Sequence, residues 1–339
     1  MMIITRVLAM TWFGLLLFIH PSWAGTPQGK VTGGMRYTIP SWFKQSLLDF
    51  REDVAEARDH GRHLMVFMHL DECPYCAKVI QENFLGGENS DYFQQRFDVV
   101  AVNIRGSLEV TWIDGNSYLE SDLRKKMGVF ATPTIVFLGQ QGDQVLTLPG
   151  YRNPQALRMA ADYVHEKHYL NGNFANYLAG LKRPEVYRFK DQPQFEFATF
   201  LKGVGKPLMV LFEDKYCSEC AQFYETTLNH PEIVEALKPF LAVRLDAEST
   251  SVLITPDGKR TTPADWVREL GLTYRPALVL FDGERQLYRA DGRLYHQHLL
   301  EALTYVSGGH DKNYPSLSAY KRDFRQKRLQ QGKDVDFGE

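Results

Sequence analysis

Cysteine is scarce. The 339 residues hold four, Cys73, Cys76, Cys217 and Cys220, all in two C-x-x-C pairs. A chain stapled by disulfides carries more cysteines, more widely spaced, in a smaller domain. These pairs therefore point to redox chemistry or metal ligation rather than architecture. An excess of basic residues is also missing: 39 Lys and Arg stand against 41 Asp and Glu. That balance excludes a dominant nucleic-acid surface, so no nucleic-acid partner is expected. Low-complexity tracts are absent as well. The apolar stretch over residues 7–19 is shorter than the ~20 residues a membrane-spanning helix needs.

What that stretch does match is an export signal. Arg6 precedes it, Pro21 breaks it, and Ser22-Trp23-Ala24 offers small residues at the positions a signal peptidase reads. Residues 1–24 are expected to be a signal peptide cleaved near Ala24/Gly25, placing the mature protein in the periplasm. An uncleaved anchor is the other reading.

The remainder is long enough for two domains, and an internal repeat defines them. Leu64 and Leu208, Cys73 and Cys217, and Cys76 and Cys220 are each 144 apart; Gly128 and Gly271, and Pro133 and Pro276, are each 143 apart. One net deletion over such a span marks a duplicated domain. Each half reads in one order. A helical pattern (residues 42–60 and 195–202) leads to an apolar strand (64–70 and 208–212), then to the C-x-x-C opening a helix. A second strand (99–104 and 241–245), a short helix (118–127 and 264–270), a two-strand hairpin and a closing helix (154–168 and 296–306) follow. The expected fold is α/β: two tandem domains, each a mixed central sheet flanked by helices. The expected boundaries are an N-terminal segment 25–40, domain 1 at 41–168, a linker at 169–193, domain 2 at 194–308 and a basic helical tail at 309–339.

The first motif is Cys73-Pro74-Tyr75-Cys76. Its place between strand and helix puts Cys73 at a helix N-terminus, where free backbone N–H groups and the helix dipole stabilise a thiolate. Cys73 is thus the expected nucleophile. Cys76 lies one turn inward, able to resolve a mixed disulfide. Pro74 suits a first helical turn. Far along the chain, Thr132-Pro133 precedes an apolar strand. A proline there reads as an edge or a cis turn, and a cis bond would expose the Thr132 backbone to a substrate peptide. Arg275-Pro276 holds the matching place in the second half.

With these residues in place, both halves resemble the thioredoxin superfamily. The first half is similar to the exported SoxW-type thioredoxins through Trp42-Phe43-Lys44-Gln45-Ser46-Leu47-Leu48-Asp49, Cys73-Pro74-Tyr75-Cys76, Thr132-Pro133-Thr134 and Pro149-Gly150-Tyr151. The resemblance implies a periplasmic dithiol protein that acts on protein disulfides or thiols and is kept reduced by a membrane-bound electron donor. It makes Pro133 the cis-proline of a substrate groove shared with Thr132, Pro74 and Tyr75, with Arg275 and Pro276 as counterparts. It implies no cofactor. There is one departure: the buried Asp that thioredoxins carry six residues before the first cysteine is Phe67 here, and Leu211 in the second half. The proton relay then falls to another group or to water; Asp71 and Glu72 are candidates, and read equally as solvated loop charges.

The second pair is Cys217-Ser218-Glu219-Cys220, a second nucleophile and resolving thiol. Glu219 repels a neighbouring thiolate and should raise its pKa. Lys215 could offset this, and Arg275 could pair with Glu219. The second dithiol is either a relay partner for the first or part of a docking domain. A copper chaperone is the rival reading, since soft thiolates select Cu(I); His69 is the one added ligand within reach, and it reads more readily as a strand-end polar residue. His165, His168, His296 and His298 read as structural, Trp112 and Tyr118 as possible borders of the groove. The basic run 321–328 reads as a solvated end, or else as a contact for a partner or an acidic membrane surface.

Overall fold

The computed structural model describes residues 28–338. The expected signal peptide lies outside them. Among the described residues no helix is long and apolar enough to cross a membrane.

After a two-residue strand β1 (Val31–Thr32), the first half runs α1 (Phe50–Asp59), β2 (His63–His69), α2 (Pro74–Asn83), α3 (Gly87–Arg96), β3 (Phe97–Asn103), the hairpin β4 (Glu109–Thr111) and β5 (Ser117–Leu119), α4 (Glu120–Lys126), β6 (Thr134–Leu138), β7 (Gln144–Pro149) and α5 (Pro154–His165). Then α6 (Phe174–Gly180) forms inside the expected linker, capped by the Asn173 side chain. The second half runs β8 (Leu208–Glu213), α7 (Cys220–Phe223), α8 (Pro231–Leu237), β9 (Leu241–Asp246), β10 (Leu253–Ile254), β11 (Arg260–Thr261), α9 (Pro263–Glu269), β12 (Ala277–Asp282), β13 (Arg285–Asp291) and α10 (His296–Ser307), with α11 (Leu317–Gln330) and β14 (Val335–Asp336) closing the chain.

Two four-stranded sheets result, β3-β2-β6-β7 and β13-β12-β8-β9. In each, the central strand pairs in parallel with one neighbour and antiparallel with the hairpin strand. Both central strands are buried on two faces. Met65 and Phe67 join one core of the first domain while Leu64, Val66 and Met68 join the other. Met209 and Leu211 divide from Leu208, Val210 and Phe212 in the same way. Alternation across a pleated strand forces this division. The mixed α/β architecture and its duplication are as the sequence implies.

Three expectations fail. The first helix starts at Phe50, not at 42, because Asp49 caps it by accepting the Arg51 N–H and Leu48 holds a positive φ of 62°. Residues 195–202 form no helix. Their backbone bridges the open edges of β9 and β10 at Glu196–Val243 and Phe200–Ile254, satisfying N–H and C=O groups that an edge leaves unpaired. The basic tail is not a solvated end. Tyr320 is buried, Arg325 makes a two-pronged pair with buried Glu301 at 2.6 and 2.7 Å, and Arg328 does the same with Glu232 at 2.8 and 3.0 Å. Finally β14 pairs with β1, tying the two ends of the described chain together.

Candidate functional site: two dithiols at a domain interface

Cys73 and Cys76 are joined as a disulfide with their Cα atoms 5.2 Å apart. Cys73 is the N-cap of α2 and Pro74 its first residue. The Cys73 Sγ accepts the Cys76 N–H at 3.1 Å. Sulfur thus takes the part a Ser or Asp oxygen plays at other helix starts, which favours a negative charge on it. Opposite stands Thr132, its Oγ1 3.6 Å from the Cys73 Sγ, followed by a cis bond to Pro133. The Gly150 N–H donates to the Pro133 carbonyl at 2.7 Å and fixes the loop to β7. Phe130 stands 79% exposed just before this loop.

The second motif is built differently. Cys217 and Cys220 are also bridged, with Cα atoms 5.6 Å apart, and Arg275–Pro276 is also cis. Yet α7 begins only at Cys220, so Cys217 caps no helix, against the expectation that both motifs open one. A π-helical turn over Tyr224–Leu228 follows. Arg275 does not reach Glu219. Its Nε lies 3.4 Å from Asp214 and its Nη1 donates to the Tyr274 carbonyl. Lys215 is spent on Glu185 at 2.6 Å. Glu219 is buried with Arg293 at 3.6 Å. Burial pushes its carboxyl up, opposed by Arg293, the Tyr274 hydroxyl and Lys78.

Beneath this second pair lies a polar group that motif reading missed. Glu213, the last residue of β8, is fully buried. The Tyr187 hydroxyl donates to it at 3.3 Å, and the Arg244 Nε sits 3.7 Å away. Burial pushes its carboxyl up to about 7; Arg244, Tyr224 and Tyr187 oppose that. Tyr187 itself packs on both cysteines. The signal was visible: a carboxylate closing the otherwise apolar strand Leu208–Glu213 must be buried or end the strand.

In the first domain no carboxylate takes that place. His69 is buried, stacked on Phe67 and bonded to the Tyr37 hydroxyl at 2.8 Å; burial lowers its pKa. Asp71 and Glu72 are exposed, one bonded to Asn103 and the other to Arg36. Trp112 packs on Phe50 in the core and Tyr118 faces Lys126, so neither borders the groove through a contact seen here. Among the described residues no group of three or more His, Cys, Asp or Glu side chains is arranged to hold a metal ion.

The two motifs meet the opposite domain in a pseudo-twofold pattern. Tyr75 stacks on Tyr295 with ring centroids 4.1 Å apart, and its hydroxyl accepts the Tyr295 N–H at 2.5 Å. In the reverse sense Asn153 donates to the Ser218 hydroxyl at 2.8 Å, and its N–H to the Tyr274 hydroxyl at 3.3 Å. Tyr295 is the N-cap of α10 and Asn153 that of α5, so each closing helix rests its start on the other domain's motif. Between them Arg152, 2% exposed, donates to the Asp291 carboxylate at 2.6 Å and to the Pro149, Tyr151 and Asp291 carbonyls, each at 2.9 Å. Asp291 in turn accepts the Thr273 and Tyr274 N–H groups, both at 2.8 Å. One ion pair therefore joins the start of α5 to the loop before the second cis-proline.

A vicinal dithiol facing a cis-proline, presented on a mixed sheet and duplicated, defines the class: thiol–disulfide oxidoreductases of thioredoxin fold. The thioredoxin-like domain family matches residues 50–165 and 199–307, and the chain belongs to that family. Among solved structures it is similar to a thioredoxin-fold protein from Helicobacter pylori (15% identity over 40% of this chain and 89% of that one, TM-score 0.35). It is also similar to a thioredoxin from Thermus thermophilus (27%, covering 34% and 83%, TM-score 0.28) and to the C-terminal domain of DsbD from Neisseria meningitidis (19%, covering 30% and 81%, TM-score 0.23). No curated protein matches the chain.

Proposed function

We propose that the protein is a periplasmic reductase of protein disulfides, working through Cys73 and Cys76 and recharged by a membrane-bound electron donor. The export signal read in residues 1–24 supports the compartment. The observation that carries the reading is the Cys73 sulfur seated as the cap of α2, facing Thr132 and cis-Pro133. The reduced Cys73 thiolate attacks one sulfur of the substrate disulfide, and the other leaves as a thiolate. Cys76 then attacks the Cys73 sulfur, closes the ring and frees the second substrate sulfur. Two electrons and two protons pass from dithiol to substrate. Pro133 and Thr132 form the wall along which the substrate backbone lies, and exposed Phe130 offers an apolar contact for a polypeptide. Cys217 and Cys220 act as a second dithiol that passes electrons to or from the first. Their setting at the shared interface, opposite Asn153, supports this part.

Insulin reduction by the wild type, Cys73→Ser and Cys217→Ser chains tests the reading, with metal analysis of each reduced protein. Turnover should vanish in Cys73→Ser and fall partially in Cys217→Ser. Stoichiometric copper without turnover would overturn it in favour of a metal carrier.

A further inference from the structure

The second dithiol opens onto a cleft of about 450 Å3 between the domains. Its walls are the start of α5 and the face of α6 on one side, and the Cys217 loop and the cis-Pro276 loop on the other. Such a volume falls within the ~300–1,000 Å3 of small-molecule sites. A folded protein fits poorly here. The opposite wall is domain 1, and the chain's own residues Val186 and Tyr187 lie along the Cys217 loop, donating their N–H groups to the Lys215 carbonyl at 2.8 and 3.0 Å.

The lining is chemically specific. Arg183 and Arg275 both face the cleft, with side chains 20% and 12% exposed. Each has a buried Nε–H without a hydrogen-bond partner. Their nearest carboxylates, on Glu248 and Asp214, stand off at 3.8 and 3.4 Å. Buried guanidinium donors left unpaired are costly, and a ligand carboxylate relieves that cost while binding in a fork. The other two lining arginines have close carboxylate partners, Arg152 in Asp291 and Arg268 in Asp265. By contrast, Arg275 donates through Nη1 to the Leu272 and Tyr274 carbonyls and Arg183 lies over the Tyr216 ring, which leaves the Nε–H of each unmatched.

We propose that Cys217–Cys220 exchanges in this cleft with a low-molecular-weight thiol that carries carboxylates, held by Arg183 and Arg275. The proposal rests on the oxidoreductase reading and adds a substrate class for its second dithiol. One thiolate attacks the Cys217 sulfur, the Cys217–Cys220 bond breaks, and Cys220 leaves as a thiolate. A second thiolate attacks the ligand sulfur of the mixed disulfide and releases the small disulfide. Two thiols lose two electrons and two protons, and the protein disulfide gains both.

The test uses the full chain carrying Cys73→Ser and Cys76→Ser, so that only the second pair reports. Its reduction by glutathione, 2-mercaptoethanol and cysteamine is followed by quenched alkylation and mass spectrometry, with rates expressed per thiolate. Glutathione, with two carboxylates, should outpace cationic cysteamine by about tenfold. The ratio of the glutathione to the 2-mercaptoethanol rate should fall several-fold in Arg183→Gln. Equal rates for the three thiols, or an unchanged ratio in Arg183→Gln, would overturn the proposal. So would faster exchange with a reduced thioredoxin-sized protein than with glutathione. Insulin turnover by the Cys73 pair, measured separately, reports on the first reading and does not depend on these outcomes.

Discussion

The two sulfurs that begin the motifs differ in what stabilises their charge. Cys73 accepts a helix N–H and faces the Thr132 hydroxyl; Cys217 precedes its helix and shares its loop with a buried carboxylate, Glu219. A helix terminus is worth about 0.3–1 kcal/mol to an anion, and a nearby negative charge acts in the opposite direction. Cys73 should therefore alkylate with iodoacetamide at lower pH than Cys217 when each reduced pair is tested with the other pair replaced by serine. The reverse order would show that Arg275 or Arg183 governs Cys217. Glu213 gives a second residue-scale outcome. Its ordinary value is 4.5, and burial raises it to about 7 in the folded chain. The folded state thus holds a proton that the unfolded state has lost. This stability is fully present below pH 4.5 and is lost as pH rises through 7. Glu213→Gln should flatten that decline, read as urea midpoints at pH 5 and pH 8 in both proteins.

At the scale of elements, the legible parts were those whose pattern is local. The apolar runs of β2 and β8, the pre-strand prolines and the repeat offset announced the sheets, the cis bonds and the duplication. Residues 195–202 misled because Phe197, Phe200 and Leu201 stand at the i, i+3, i+4 spacing of a helical face, yet the open strand edges beside them claimed the backbone instead. The tail misled for a related reason. Its charges looked solvated, but their partners Glu301 and Glu232 lie 24 and 96 residues away from Arg325 and Arg328, and no local pattern shows that. Glu301 is fully buried, so removing its cation strands a charge. Breaking such a pair from one side costs about 3–5 kcal/mol; with Lys321 still 3.8 Å away, Arg325→Met should lose roughly 2–4 kcal/mol in urea unfolding. A loss within experimental error would mean the pair is solvated after all.

The whole molecule is organised around a contact that neither half announces. Tyr75 reads as one of the two residues between the cysteines, yet its ring belongs to the second domain through Tyr295, 220 residues away. Arg152 and Asp291 are likewise unremarkable in sequence and become the buried pair on which the face-to-face arrangement rests. Because Asp291 also holds the Thr273 and Tyr274 N–H groups, opening the interface and loosening the second cis-proline loop are one event. Asp291→Asn keeps those acceptor contacts partly but removes the charge facing Arg152, which then stays buried without its counter-ion. The domains should part more often, and the Cys217–Cys220 disulfide, shielded in the closed form, should become reducible by a reduced protein dithiol as large as a thioredoxin. In the Cys73→Ser, Cys76→Ser background, Asp291→Asn should raise that rate several-fold while the glutathione rate changes far less. An equal rise for both reductants would place the effect at the cis-proline loop alone and deny the interface its role as the barrier.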